Sequence, residues 1–232
     1  MRLITRMTPA DQKKLHRYLE PQPMEYRRSL YRAGEPINSV YFLESGVASM
    51  VCTMQNGQAA EVGTVGNEGM VGLPIVFGDT MAPNDMYIQV PGSALVMPSQ
   101  TFHKCLQESP SMQAIVLRYA HAMFNQVAQT AACAHFHDIE RRACRWLLMT
   151  CDRMLTDEFL LTQEFFAMML GVRRQGVTKV AKTLQDAGLI HYHRGHVKIL
   201  DRDGLEDRVC ECYFVSRQDY DELLGVNGVR GQ

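Results

Sequence analysis

Short apolar segments separated by turn residues dominate the chain between residues 30 and 98. The apolar residues 40–43 precede a turn at Ser45 and Gly46, and a loosely alternating segment then runs to Asn56 and Gly57. The Asn-Gly dipeptide is favoured in tight hairpins because both residues tolerate positive φ. Nine of the 17 glycines lie in this region. Strands this short and this regularly interrupted predict an antiparallel sandwich or barrel.

A long helix is predicted next, because the chain contains no glycine or proline from Ser111 to Ala134. Two apolar stripes follow this helix at a spacing of about 3.5 residues. A helix with two apolar faces needs two partners, so we expect one stripe on the β-domain and the other on a second copy of the chain. A wholly buried helix in a monomer is the alternative. We assign to the dimer interface Met112, Val116, Tyr119, Met123, Val127 and Thr130.

Residues 163–182 fit the requirements of a helix-turn-helix. Ala167 is small enough for the position where two helices cross, and Gly171 tolerates the positive φ of the sharp turn between them. Thr162 is suited to cap the first helix. Apolar residues follow the inward spacing of both helices, at Phe166, Leu170, Val172, Val177 and Val180. A generic helical hairpin is the alternative, but it does not require all of these features in one window.

Basic and amide side chains occupy the exposed positions of the second helix. Its first turn carries Arg173, Arg174 and Gln175, and such a turn faces base edges when it enters the major groove of DNA. Arginine binds guanine O6 and N7 bidentately, and glutamine binds adenine N6 and N7 in the same way. Lys179 and Lys182 are placed for phosphate oxygens. The pattern therefore predicts a DNA-reading helix.

A β-hairpin is predicted directly after this helix, over residues 189–200. Its turn at Arg194 and Gly195 makes it the wing of a winged helix, with Arg194 at the tip. We interpret the histidines of the hairpin as solvent-exposed side chains of a strand.

Composition bounds the class of protein. The chain has 232 residues, of which 46% are hydrophobic, which is enough for one large domain or two small ones. No apolar run reaches the ~18–20 residues that cross a bilayer, and the first residues lack the apolar region of a secretory signal. Seven scattered cysteines do not form a disulfide pattern. We therefore expect a reduced, cytoplasmic protein without membrane association.

The charge distribution is more informative than the net charge of −1. Residues 1–32 carry a net charge of +5, residues 33–117 carry −6, and residues 162–200 carry +4. This separation indicates a basic surface on an acidic body, and a solvated charged face is the alternative.

Catalytic and metal-binding motifs are not evident. The chain has no phosphate loop, nucleophile elbow or metal signature, so we predict that it is not an enzyme and has no cofactor. His135 and His137 form one pair and Cys210 and Cys212 another, but neither pair alone supplies three or four ligands. We therefore predict no metal site. The competing hypothesis is a small-molecule-binding or enzymatic β-barrel whose C-terminal helices serve assembly only.

The sequence YRAGEP at residues 31–36, followed by VYFLESG at residues 40–46, resembles the start of the cyclic-nucleotide-binding β-roll of the Crp/Fnr superfamily of bacterial transcription regulators. The resemblance implies an α+β fold that combines a jelly-roll-like antiparallel β-roll, a dimerisation helix and a winged helix-turn-helix. It also implies a homodimer on a palindromic operator in double-stranded DNA, with RNA polymerase as a further partner. The implied divisions are the sensor domain 1–108, the dimerisation helix 109–137, the DNA-binding domain 138–207 and a helical tail 208–232.

The resemblance also assigns roles in DNA reading. Arg174 and Gln175 match the base-reading positions of the family, and Lys179 matches a supporting cation. Gln175 stands where many members have glutamate, so adenine replaces cytosine as the expected partner base. Arg173 stands where a small hydroxyl residue is common, and it adds a contact to phosphate or base.

The sensor domain departs from the family pattern. Members that bind cyclic nucleotides use a glutamate for the ribose and an arginine-serine pair for the phosphate, but no arginine lies between Arg32 and Arg118 here. A buried phosphate without a charged partner is costly. We therefore predict that the β-roll does not bind cyclic AMP in the usual way, and that an unidentified small molecule is the effector, if one exists. The matching pocket residues are Gly69, Met70, Gly72, Leu73, Asn84 and Asp85.

Overall fold

An antiparallel sheet forms the first half of the chain in the computed structural model, which describes residues 2–154 and 156–224. Two short helices, α1 (Arg2–Thr5) and α2 (Pro9–His16), precede this sheet. Its strands are β1 (Glu20–Met24), β2 (Ser29–Tyr31), β3 (Ser39–Thr53), β4 (Ala59–Val65), β5 (Met70–Val71) and β6 (Asp85–Pro98). They lie in the order β1-β6-β3-β4, with β2 paired to β6 and β5 paired to β3. The predicted antiparallel β-domain is confirmed.

The hairpin between β3 and β4 turns where the sequence predicts it. Gly57 has a φ of +81°, and Thr53 pairs with Ala59 across the turn. A second glycine, Gly92, is required where β6 passes close to β3, because a Cβ atom there would lie 2.2 Å from the carbonyl oxygen of Ser45. Glycine therefore fixes both a tight turn and a close backbone approach in this sheet.

Helices and a small second sheet form the rest of the described chain. The helices are α3 (Ser99–Gln107), α4 (Pro110–Phe136), α5 (Ile139–Met154), α6 (Gln163–Leu170), α7 (Arg174–Asp186), α8 (Arg202–Arg208) and α9 (Cys212–Leu224). The strands are β7 (Glu158–Leu160), β8 (Ile190–His193) and β9 (His196–Ile199), in the antiparallel order β7-β9-β8. This arrangement confirms the predicted α+β class. Residues 225–232 of the predicted helical tail lie outside the described residues.

Helix α4 is the long helix that the sequence predicts. The side chain of Ser109 caps it by accepting a hydrogen bond from the backbone N–H of Met112 at 3.2 Å. Pro110 at the first helical position needs no hydrogen-bond partner for a backbone N–H. The helix has 27 residues and ends at Phe136, and only His137 and Asp138 separate it from α5.

The assignment of the dimer interface to one stripe of α4 is wrong for most of its residues. Met112, Val116 and Tyr119 have no exposed surface within a single chain, and Met123 is also buried. These side chains pack into the core of the β-roll, so they have no surface to offer to a second copy. Val127 and Thr130 are half-buried.

The second apolar stripe of α4 carries the exposed side chains. Leu117 retains 45% of its surface and Phe124 retains 69%. Ala131 and Ala134, further along the same stripe, are also exposed. The two-stripe pattern is thus real, but the stripe of larger side chains packs inside the chain and this one faces outward.

The described residues form two large hydrophobic cores. One core lies within the β-roll and includes the inner face of α4. The other joins Val47, Val51 and Val90 of the roll to Trp146 and to the helices that follow it. The C-terminal helices therefore pack directly on the β-roll. Within the described ranges, the structure contains no helix long and apolar enough to span a bilayer.

Candidate nucleic-acid interface

Local chemistry sets the geometry of the α6–α7 pair. Thr162 caps α6 by accepting a hydrogen bond from the backbone N–H of Phe165 at 3.2 Å. Gly171 ends the helix in the left-handed region, with φ +61° and ψ 36°. The backbone N–H of Val172 then donates to the carbonyl of Ala167 at 3.0 Å. These bonds satisfy both ends of α6 and turn the chain sharply into α7.

Apolar side chains hold the two helices against each other and against α5. Phe166 and Val177 are almost completely buried, and the ring of Phe166 lies 5.1 Å from the ring of Trp146. Leu170 and Val180 are buried as predicted, whereas Val172 is half-buried. The predicted inward-facing residues therefore form the contact between helices, as a helix-turn-helix requires.

The first turn of α7 faces solvent with a basic surface. Arg173, Arg174 and Gln175 are exposed, and so are Lys179 and Lys182 on the following turns. Within the described part of the chain, none of the four cations forms an ion pair. Side-chain caps are also missing at the N-terminus of α7. The backbone N–H groups there and the helix dipole add to the positive potential.

The predicted wing is the β8–β9 hairpin. Its two-residue turn has φ +47° at Arg194 and +80° at Gly195, and Arg194 is exposed at the tip. The hydroxyl of Tyr192 donates to the carbonyl of Leu161 at 2.7 Å, which ties the wing to the start of α6. Thr162 lies beside the wing, because a Cβ atom on Gly195 would be 3.5 Å from its methyl group. The structure thus brings the wing tip, Thr162 and the α7 turn into one region.

A small cavity in the β-roll unites four of the six predicted pocket residues. Met70, Gly72, Leu73 and Asn84 line a space of about 40 Å³. The other lining side chains are also uncharged. Sites for small ligands usually measure about 300–1,000 Å³, so this cavity is far smaller than a nucleotide requires.

The other two predicted pocket residues lie elsewhere, so their assignment to the same cavity is wrong. Gly69 packs against the ring of Tyr119, where a Cβ atom would lie 2.3 Å from the ring. Asp85 accepts hydrogen bonds from the backbone of Ala33 at 3.0 Å and from Thr53 at 2.8 Å, on the edge of the sheet. Asp85 therefore joins β6 to neighbouring segments.

A polar layer between the β-roll and α5 was missed by the sequence analysis. Glu61 on β4 accepts hydrogen bonds from Ser49 at 2.6 Å and from the indole N–H of Trp146 at 2.9 Å. Burial raises the pKa of Glu61 to about 7, although these two bonds oppose the shift. Arg153 of α5 binds Glu68 at 2.7 Å with both side chains buried. The available signal was a charged residue inside otherwise apolar segments.

A larger cavity adjoins this polar layer. It measures about 270 Å³ and lies between β4, α4, α5 and α6. Glu61, Arg142 and Arg145 supply its charged lining. Arg142 also donates to the carbonyl of Leu170 at the end of α6. A cavity in this position is bounded by both the sensor domain and the helix-turn-helix.

His137 and the pair Cys210 and Cys212 lie together with a third cysteine, whereas His135 is exposed and lies outside this cluster. The structure brings ligand atoms of Cys133, His137, Cys210 and Cys212 within 4.8 Å of one another. The sulfur atoms of Cys133 and Cys210 are 3.6 Å apart. The hydrogen bond from Cys210, together with the nearby charge of Arg145, lowers the pKa of the Cys133 thiol. Cys133 is the member of the cluster that sequence spacing did not reveal.

Comparison with known proteins identifies both parts of the chain. The cyclic nucleotide-binding domain family matches residues 24–109, and the Crp-like helix-turn-helix domain family matches residues 141–208. The global nitrogen regulator of Nostoc sp. is 20% identical over 190 residues, which span 77% of this chain and 84% of that protein.

Solved structures of the same architecture superpose over most of the chain. FixK2 from Bradyrhizobium japonicum is 12% identical with a TM-score of 0.71, covering 83% of this chain and 98% of that chain. TTHA1359, a Crp/Fnr-family transcriptional regulator from Thermus thermophilus, is 16% identical with a TM-score of 0.66, covering 82% and 97%. At these identities the similarity establishes a shared fold.

The two domain matches occur in the order that the fold displays, with a β-roll first and a helix-turn-helix second. The exposed basic turn of α7 lies within the second match. The chain therefore belongs to the Crp/Fnr family of DNA-binding transcription regulators.

Proposed function

We propose that the protein binds a palindromic operator as a homodimer and regulates transcription without catalysing a reaction. The exposed basic turn at the N-terminus of α7 carries this proposal, because Arg174 and its neighbours are accessible to solvent and have no ion-pair partners in the described chain. Two such helices in a symmetric dimer enter successive major grooves ~34 Å apart. An assembly role for the C-terminal helices, with a catalytic β-barrel, would give this turn no reason to be basic and exposed.

Base reading is assigned to Arg174 and Gln175. Both side chains start from the first turn of the recognition helix, where they reach base edges. We expect Arg174 to bind guanine O6 and N7, and Gln175 to bind adenine N6 and N7.

Phosphate contacts are assigned to the remaining basic residues around the same surface. Arg173 directly precedes α7, Lys179 and Lys182 lie on it, and Arg194 lies at the wing tip. The hydroxyl oxygen of Thr162 accepts the capping hydrogen bond, so its O–H group remains available to donate to a phosphate. Binding energy from phosphates depends strongly on salt, because each neutralised phosphate releases counterions.

Dimerisation is assigned to the exposed stripe of α4, which includes Leu117, Phe124 and Ala131. The stripe repeats about every 3.5 residues on average, as antiparallel or parallel helix pairs require. Exposed apolar side chains on one long helix face favour burial against an identical face. Packing two copies of α4 in this way joins two chains into one dimer. That dimer carries two α7 helices.

For the β-roll, we propose that cyclic AMP is not bound in the family's usual manner, and that the effector, if one exists, is another small molecule. The uncharged lining and the volume of about 40 Å³ in the β-roll cavity support this proposal. We include RNA polymerase as a partner and the cytoplasm as the location, since a regulator of bacterial transcription acts there. The division at residues 108, 137 and 207 is kept as a proposal.

A gel-shift assay on genomic fragments at two salt concentrations tests the proposed function. We expect a subset of fragments to remain bound at the higher salt concentration, because base contacts supplement phosphate contacts there. Absence of binding at the lower concentration, or equal loss of all fragments, would contradict operator recognition.

A further inference from the structure

Four side chains that can bind metal converge where α4 meets the segment before α9. Cys133 lies in the last turn of α4 and His137 directly follows that helix, while Cys210 precedes α9 and Cys212 is its first residue. Each of the three cysteines is at most 2% exposed. The structure assigns these residues as the ligands of a single Zn²⁺ ion in a closed Cys3His site.

Two pairs of ligand atoms have the spacing of one tetrahedral ion, and all four atoms lie within 4.8 Å of one another. Zinc bonds of about 2.3 Å to sulfur and about 2.05 Å to nitrogen place two sulfurs about 3.8 Å apart, and sulfur and nitrogen about 3.6 Å apart. The Cys133 and Cys210 sulfurs are 3.6 Å apart, and the Cys212 sulfur is 3.5 Å from Nδ1 of His137. An iron–sulfur cluster separates its ligand atoms further, because its several irons lie between them.

The surrounding groups orient and stabilise these ligands. Nε2 of His137 lies 3.3 Å from the carboxylate of Glu211, which holds the ring with Nδ1 free to bind the metal. The side-chain amide of Gln129 donates to the sulfur of Cys212 at 3.0 Å. Zn²⁺ with three thiolates carries a net charge of −1. The cation of Arg145 lies close enough to interact with Cys133 and offsets that charge.

A disulfide between Cys133 and Cys210 explains less of this arrangement. It would use two of the three thiols and give no role to His137, to Glu211 or to the bond from Gln129. Three thiols, one imidazole and a carboxylate partner together match the ligand set of a structural zinc site.

The site lies at the junction that joins dimerisation to DNA binding. His137 follows the last residue of α4, and α5 begins two residues later. An ion bound by both Cys133 and Cys210 fixes the end of α4 to the start of α9. Resting on the proposed function, we infer that zinc holds the orientation of the DNA-binding domain relative to the dimer helix.

Metal analysis of the full chain, purified under reducing conditions without chelator, tests the site directly. We expect one zinc ion per chain by inductively coupled plasma mass spectrometry. After chelation, Co²⁺ added alone should give the visible bands of a tetrahedral, sulfur-rich site, and Zn²⁺ should displace them. Absence of both metal and Co²⁺ bands overturns the assignment, as does a Cys133–Cys210 disulfide in metal-free protein that still binds no Co²⁺ after reduction.

Variants separate the site from adventitious binding. Cys133→Ser and Cys212→Ser should lose the metal, whereas Cys52→Ser, a cysteine outside the cluster, should retain it. Glu211 is largely exposed, so Glu211→Gln should fold normally and weaken Zn²⁺ binding by about 10- to 100-fold. Unchanged affinity in both Cys212→Ser and Glu211→Gln would overturn the assignment.

Operator binding with and without zinc tests the coupling. We expect the metal-free chain to bind at least about 5-fold more weakly, the lower end of usual coupling between sites. Equal affinity overturns the coupling and leaves the zinc site standing. A chain that binds zinc but no DNA in either state contradicts the proposed function alone.

Discussion

Recognition of the DNA sequence depends most on the side chain of Arg174. It is exposed at the first residue of α7, and no ion pair within the described chain competes for its guanidinium. We expect Arg174→Ala to weaken binding to the preferred operator by ~1–3 kcal/mol and to relax the preference at one base pair in each half-site. Competition gel shifts with single-base operator variants measure both effects.

Lys182→Ala provides the matched control for that variant. Lys182 is also exposed on α7 but is assigned to phosphate, so its loss should weaken all sequences equally and lower the salt slope by about 1. Equal loss of specific and non-specific binding in Arg174→Ala would refute base reading by Arg174.

Thr162 has a role in folding that is separate from DNA contact. Because its hydroxyl caps α6, Thr162→Ala should lower the free energy of unfolding by about 0.5–2 kcal/mol, and Thr162→Ser should preserve it. Urea denaturation measures the difference. Equal stability of the Ala and Ser variants would mean that the cap does not contribute.

Glu61 makes stability depend on pH. Burial raises its pKa in the folded chain to about 7, so the folded state binds the proton more tightly than the unfolded state does. The stabilisation that the protonated Glu61 gives to the folded state is complete below the unfolded pKa of about 4.5. It is lost as the pH rises through 7. Glu61→Gln should show a smaller loss of stability between about pH 5.5 and pH 8 than wild type, in thermal melts. An unchanged pH profile would contradict this role.

The exposed stripe of α4 determines the predictions about dimerisation. Phe124 is 69% exposed in the single chain, so a charge there costs little until two copies meet. We expect Phe124→Glu to convert the dimer to monomer in sedimentation velocity, whereas Tyr18→Glu, at an exposed aromatic residue outside α4, should leave the dimer intact. A dimeric Phe124→Glu variant would refute the proposed interface.

Elements whose chemistry is local could be predicted from the sequence. The cap at Thr162, the turn at Gly171 and the hairpin at Gly57 each depend on residues a few positions apart. The dimer stripe was assigned to the wrong face, because two faces of α4 are apolar and only the position of the β-roll decides which one is buried. The cysteine cluster was also missed because it depends on tertiary structure. Cys133 and Cys210 are 77 residues apart in the sequence, and only the fold brings them together.

The whole molecule places a basic recognition surface on a body whose two domains share a core. Val47 and Val90 of the β-roll pack with Trp146 and the helix-turn-helix, and Glu61 and Glu68 form polar contacts across the same boundary. The β-roll and the helix-turn-helix are therefore in direct contact. The zinc site that we propose controls the other connection, through the end of α4.

The most direct test is to let the full chain select DNA duplexes from a random pool and to sequence the bound ones. This experiment shows whether the α7 surface reads DNA in a symmetric dimer. We expect enrichment of a two-fold symmetric sequence whose half-sites lie one helical turn apart, ~34 Å, bound by two chains. Arg174→Ala should lose the preference at one position of each half-site. Recovery of unenriched DNA, or of a single half-site bound by one chain, would contradict the proposed mode of recognition.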